Sequence, residues 1–378
     1  MRITRLRIIV AIAATLLTPV TLILGTGWYY SGLIEEGAFK IDREPDELNL
    51  EIVSLSSNEI TFRPPSGNGR WKQSGIWGLE WDGGTATVGE LISDSGRFIT
   101  REFHPTEKLP MVGTEARMTR EVFSGDPTSA HGLPFQEVSF PSTLGTLGGW
   151  VINGGDTWII HVHGHSGNRF EALRSIPPVI RTGASSFVID YRNDAGMDED
   201  PTGYYLYGIT EWEDLEAATQ YALDQGARSV IPYGYSMGGG IVMSFLYKSP
   251  LAESVTGVVL DAPMLDLSRV INQAGDQRNI PRLITNTAKF IAETRFDIEF
   301  EDLDYLDDSH LLTAPILLFH GNDDERIPVE TSDALAEARP DLVTYERVAG
   351  GKHVHAWNTD PERYESTLET FISSLISK

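Results

Sequence analysis

Cysteine is absent from the 378 residues. Disulfides, thiol catalysis, iron–sulfur clusters and cysteine-ligated zinc are thereby excluded, as is a lipid-modified cysteine anchor. Positive charge is scarce: 30 Lys+Arg stand against 54 Asp+Glu, a formal charge of −24. Three of those cations, Arg2, Arg5 and Arg7, fall in a leading stretch without acids, so the remainder is more acidic still. Such a surface repels phosphate backbones, which makes nucleic acid a poor partner. Repeats and low-complexity tracts are missing too. With 41% hydrophobic and 22% charged residues, the chain is neither disordered nor collagen-like. It is long enough for one large domain with an accessory part, or for two domains.

The first long apolar run follows the arginines. Ile8–Leu24 is interrupted only by Thr15, Thr18, Pro19 and Thr21, and continues into Gly25-Thr26-Gly27-Trp28-Tyr29-Tyr30. A helix from Ile8 to Tyr30 reaches about 33 Å, enough to cross a ~30 Å hydrocarbon layer, with Pro19 a site for a kink. Arginines on one flank and three aromatics on the other predict that residues 1–30 form a membrane-anchoring transmembrane helix, leaving the rest outside the cytoplasm. Cleavage after Gly25-Thr26-Gly27, as in a signal peptide, would secrete it instead.

Residues 31–134 lack helical periodicity. Short runs such as Glu59–Phe62, Ile76–Trp81, Thr85–Val88 and Arg97–Phe103, punctuated by Pro64-Pro65, Asp82-Gly83-Gly84 and Ser95-Gly96, predict a small β-rich accessory module. Its Trp71, Trp77 and Trp81 suit a core better than a binding surface. From about Phe135 apolar strands alternate with amphipathic helices, the pattern of a mostly parallel α/β sheet covered on both faces. Eight strands are expected: Gln136–Phe140, Gly149–Ile152, Trp158–His163, Ser186–Tyr191, Ser229–Tyr233, Thr256–Leu260, Pro315–Phe319 and Thr344–Val348, the first two an antiparallel lead-in. Thr210-Glu211-Trp212-Glu213 predicts a capping box, and Asp360-Pro361 a helix start.

The chemistry centres on Gly234-Tyr235-Ser236-Met237-Gly238, set between the strand at Ser229–Tyr233 and the apolar helical run Ile241–Leu246. Strand, G-x-S-x-G and helix in that order form a nucleophile elbow, whose glycines permit a turn tight enough to lift the serine hydroxyl above the sheet. A serine hydroxyl needs a base, and the base an orienting acid. Past the next strand ends lie His320-Gly321-Asn322-Asp323-Asp324-Glu325-Arg326-Ile327-Pro328 and Gly350-Gly351-Lys352-His353. Loops at the carboxyl edge of a parallel sheet converge, so both can reach Ser236.

On these residues the stretch from about 135 to 378 resembles the α/β-hydrolase superfamily, close to its bacterial serine esterase and prolyl-oligopeptidase-like branches. The resemblance implies an eight-stranded sheet and a triad of Ser236, Asp324 and His353. The motif H-G-x-x-D-x-x-[IV]-P selects Asp324 over Asp323 and Glu325, and G-x-x-H selects His353 over His355, which would be a loop or surface histidine. An oxyanion hole is implied from the amides of Met237 and of His165 in His163-Gly164-His165-Ser166-Gly167. A cap over the acyl pocket is expected at about 265–306, where Ile284, Ala288 and Ile291 share a helical face that either packs on the domain or lines the pocket.

Two metal readings compete and lose. His161, His163 and His165 alternate along a strand end in the manner of zinc ligands, but a packed histidine and an oxyanion turn account for the segment. Asp194, Asp198, Glu199 and Asp200 lack an EF-hand's spacing and read as a solvated loop. The expected activity is hydrolysis of a small-molecule or lipid carboxylic ester through an acyl-enzyme, without a cofactor. A serine peptidase, an acyltransferase acting on envelope lipid or sugar, and a non-catalytic binding module are the alternatives. About 100 residues of irregular β sequence are too few for the propeller that prolyl-oligopeptidase-type peptidases carry.

Overall fold

The computed structural model describes residues 18–43, 47–65, 69–106 and 108–376, and follows the backbone of a leading helix over Arg2–Ile34. Ile8–Leu17, the first part of the expected membrane segment, lie outside the described residues. Among the described residues no helix is long and apolar enough to cross a membrane. The far end of the expected span packs instead on protein: the leading helix runs along the helix Arg282–Phe296. There Arg295 sits 4.3 Å over the Trp28 ring and donates to Ser31 Oγ at 2.7 Å. Phe39, just beyond, is buried among Tyr204, Tyr207, Phe296 and Phe300.

The β-rich segment folds into β1 (Leu50–Leu55), β2 (Glu59–Arg63), β3 (Trp77–Trp81), β4 (Gly84–Asp94), β5 (Ile99–His104) and β6 (Glu115–Thr119). They form a closed antiparallel barrel in the order β1-β2-β5-β4-β3-β6. Period-2 alternation explains it: in β2, Ile60 and Phe62 point inward while Glu59 and Arg63 meet solvent. Trp77 and Trp81 are buried in its core, and Trp71 packs against them. Closure leaves no free sheet edge.

The second sheet contains β7 (Gln136–Pro141), β8 (Thr146–Ile152), β9 (Thr157–Val162), β10 (Ser185–Ile189), β11 (Ser229–Tyr235), β12 (Val258–Asp261), β13 (Ile316–Gly321) and β14 (Val343–Val348). Their order is β14-β13-β12-β11-β9-β10-β8-β7, with β8 antiparallel to both its neighbours, β7 and β10, and the other pairings parallel. Every expected strand is present, its ends shifted by a few residues. All of β9 is buried and nearly all of β11, which is why they read as continuous apolar runs.

One local expectation fails and a second holds only in part. Thr210 does not cap the helix Trp212–Asp224: its hydroxyl donates to Asp200 at 2.9 Å, and buried Glu211 instead accepts from the Leu206 and Gly208 amides. The acidic run is solvated only in part, with Asp198 and Glu199 exposed. Asp194 and Asp200 are buried, and Asp200 accepts from Thr202 and pairs with Arg192 at 3.4 Å. At Asp360 the prediction holds, since its side chain accepts from the Arg363 amide at 3.1 Å.

Candidate active site

β11 ends in a turn whose hinge is Ser236, at φ 51° and ψ −116°. A side-chain-bearing residue held there costs roughly 1–3 kcal/mol and persists only where its surroundings enforce it. They do. The Ser236 amide donates to Asp261 O at 3.0 Å, while its carbonyl accepts from the Gly239 and Met264 amides, each at 2.9 Å. The following helix, Met237–Lys248, passes so close to β9 that a Cβ on Gly238 would lie 2.1 Å from Val162 O. Only glycine fits.

The structure brings the three separated side chains together. Ser236 Oγ lies 2.8 Å from His353 Nε2, and His353 Nδ1 lies 2.8 Å from Asp324 Oδ2. A carboxylate only accepts, so Nδ1 carries the proton and Nε2 is free to accept from the serine hydroxyl. Asp324 is fixed from every side: Oδ1 accepts from the Arg326 and Ile327 amides at 2.7 and 2.9 Å, and Oδ2 also from His320 Nε2 at 3.1 Å. Burial alone would raise its carboxyl, but His353 and His320 outweigh that and hold it well below the usual carboxylate range. Burial also pushes the His353 imidazole below its ordinary value; Asp324 opposes the fall, while Arg326 and Arg120 add to it. Asp323 and Glu325 are exposed, Glu325 pairing with Lys352. The acid and histidine loops touch at Gly321, where a Cβ would meet Gly351 O at 2.1 Å.

Beyond β9 the chain turns at His163–Gly167. Among the described residues neither the His165 nor the Met237 amide has a protein acceptor. The Gly164 amide is already taken by Glu171 Oε2 at 2.8 Å. Glu171 is buried, and Arg120 pairs with it at 2.9 Å. Burial would raise the Glu171 carboxyl, yet Arg120 and Arg174 prevail and keep it below its ordinary value. The other two histidines of this strand end have separate tasks. His161 hydrogen-bonds Ser186 Oγ at 2.9 Å and is pushed down to about 3 by burial, so it is neutral. For His163 burial acts the same way, but Asp194, 2.8 Å away, overrides it and raises the imidazole to about 9. Among the described residues no three metal-ligating side chains converge.

His355 is not a surface histidine. It is buried, its Nδ1 3.1 Å from Gln73 Oε1 and its ring edge-on to Trp77 at 4.6 Å, both in the barrel segment. Nearby, the Asn358 side-chain amide donates to Ile76 O at 2.8 Å and Arg120 O at 3.0 Å. The loop carrying His353 is therefore clamped to the barrel. Between the two bodies lies a cavity of about 780 Å³ that reaches Ser236 and His353. Barrel-side residues Arg70, Leu79 and Phe123 form one wall, and Met264, Val270 and Ala274 another. The expected cap thus lines the cavity through the helix Leu267–Gln277. Ile284, Ala288 and Ile291 are absent from the lining, and their helix packs along the leading one instead.

Comparison with known proteins agrees with this topology. No family model matches the chain. The Pyrococcus furiosus esterase Pf2001 superposes with a TM-score of 0.53 at 19% identity, covering 67% of this chain and 95% of that one. A second crystal form of it gives 0.53 at 20% identity over 67% and 98%. The chain has the α/β-hydrolase fold. In sequence, the uncharacterized protein YfhR of Escherichia coli is 21% identical over 266 residues, 68% of this chain and 85% of that protein. Sequence reasoning passed over Glu171, Arg120 and Gln73 as contributors to this hydrolase-fold site. None sits in a motif, and the only sign of Glu171 was a carboxylate one helical turn past a glycine-rich loop.

Proposed function

We propose that the protein is a serine hydrolase of carboxylic esters, with Ser236 as nucleophile, His353 as base and Asp324 as its orienting acid. Ser236 Oγ attacks the acyl carbonyl while His353 Nε2 takes the hydroxyl proton. The Met237 and His165 N–H groups receive the oxyanion; one such donor is worth on the order of 10²–10³ in rate. His353 then protonates the leaving alcohol. Water, deprotonated by the same nitrogen, attacks the acyl-enzyme and releases the carboxylic acid. The observation that carries the reading is the unbroken run of 2.8 Å contacts from Asp324 through His353 to Ser236.

Two further points favour an ester over a peptide. The fold neighbour Pf2001 is an esterase, and the accessory part is a six-stranded closed barrel rather than a propeller. The test is labelling by a fluorophosphonate in native protein and in Ser236→Ala, followed by aryl esters of rising chain length against short peptides. Loss of labelling in the variant and turnover of esters are expected; equal labelling would falsify Ser236 as the nucleophile. Product analysis with added alcohols separates hydrolysis from acyl transfer. A membrane-anchored position outside the cytoplasm is proposed on Arg2, Arg5, Arg7 and the apolar run after them, and fractionation of the full chain tests it.

A further inference from the structure

In a chain of formal charge −24, the cavity above Ser236 is lined by six arginines against five acids. Half of these cations are paired with carboxylates. Arg43 pairs with Glu199 at 3.0 Å, Arg117 with Glu80 at 2.7 Å and Arg120 with Glu171 at 2.9 Å. Arg326 differs: among the described residues its guanidinium has neither a hydrogen bond nor an ion pair, and only its backbone amide is used, by Asp324. Arg278 has Ala274 O at 3.0 Å and no carboxylate partner among the described residues. The two segments that carry them are stitched together along the cavity, Gln277 Nε2 donating to Glu325 O at 2.7 Å and Gln273 Nε2 to Asp324 O at 3.2 Å.

We propose that Arg326, assisted by Arg278, binds an anionic group on the substrate, so that the ester accepted here carries a carboxylate or a phosphate in addition to its scissile carbonyl. The inference rests on the reading of Ser236 as nucleophile. A guanidinium presents a planar fork that matches either oxyanion in two parallel hydrogen bonds. An acidic surface repels small anions at long range, but salt screens that field within about 8 Å, so a local unpaired cation decides selection inside the cavity. The position is close to the chemistry: Arg326 follows Asp324 by two residues, and its charge acts on both His353 and His165.

The experiment compares nitrophenyl monoesters of glutarate, adipate and pimelate with the neutral pentanoate, hexanoate and heptanoate of equal chain length. A second arm sets butyryl glycerol phosphate against monobutyrin. We expect kcat/KM at least about tenfold higher for the anionic member of one matched pair, the arm showing whether the anion lies on the acyl or the alcohol side. In Arg326→Gln that ratio falls towards one; in Arg326→Lys, which keeps charge but not the fork, it is intermediate. Arg228→Gln, which removes an exposed cation from the start of β11, leaves the ratio alone. Neutral esters preferred in every pair, or a preference that survives Arg326→Gln, would overturn the proposal. Failure of Ser236 to take the fluorophosphonate would sink the nucleophile alone. The same matched pairs, measured as competing binders of Ser236→Ala, would still decide the role of Arg326.

Discussion

The barrel and the parallel sheet each bury arginine, but they neutralise it differently. In the barrel, Arg101 is fully buried and donates to the carbonyls of Gly89, Trp71, Gln73 and Gly75, with no carboxylate in contact among the described residues. Burial pushes it down to about 10. In the sheet body, Arg192 donates to Asp214 at 2.7 Å, and Arg174 lies 3.8 Å from Asp261. A cation on carbonyls fixes the path of a loop; a cation on a carboxylate also fixes a charge near the chemistry. The loop that Arg101 shapes, residues 71–75, is the one that reaches His355 through Gln73. On the proposed mechanism, the sheet supplies the reacting groups and the barrel their restraint.

The strongest way to break this division is at the sheet edge. Asp324→Asn keeps the shape but lets the wrong imidazole nitrogen carry the proton, and should lower kcat by about 10⁴-fold with little change in KM. A loss under tenfold would mean that Asp324 does not orient His353. Next comes the contact where the two regions meet. Glu171→Gln weakens the pairing that Arg120 brings from the end of β6 and loosens the acceptor of the Gly164 amide. A loop misplaced by about 1 Å costs roughly 10²-fold, so kcat should fall by that order while KM stays close to native. If Arg120→Met and Glu171→Gln each cause the loss and the double variant adds nothing, the pair acts as one unit.

A smaller effect is expected wholly inside the clamp. Gln73→Ala removes the 3.1 Å contact to His355, leaving Trp77 and Asn358 to hold the loop. A fewfold drop in kcat/KM is expected, with fluorophosphonate labelling slowed to the same degree. An unchanged labelling rate would show that the barrel does not restrain the histidine loop.

The same division explains what could be read from the sequence. Ser236, Asp324 and His353 stand at strand ends inside short motifs, and the alternation of buried strands and helices is a local signal. Closure of the barrel is not local: β1 pairs with β6, some sixty residues on. Nor is the clamp, since His355 meets Gln73, 282 residues away in sequence, and Arg120, just past β6, meets Glu171 fifty-one residues on. Thr210 misled because a hydroxyl at a helix start takes the nearest strong acceptor, here the buried Asp200. Ile284, Ala288 and Ile291 misled because an amphipathic face shows only that something covers it.

The gentlest probe is pH. As the proposed base, His353 can act only when Nε2 is unprotonated, so kcat/KM should rise with pH along one limb as the imidazole loses its proton. Its value lies below the ordinary 6.5, first through burial, with Arg326 and Arg120 adding to the fall against Asp324. The midpoint of that limb in the free enzyme is therefore expected below 6.5. Of the two cations, Arg120 comes from the barrel side. Arg120→Met removes one positive charge that disfavours imidazolium, so the midpoint should move upward, whereas Gln73→Ala, which removes no charge, should leave it in place. A midpoint that stays fixed in Arg120→Met would confine the barrel's influence to geometry and leave the tuning of the base to the sheet body alone.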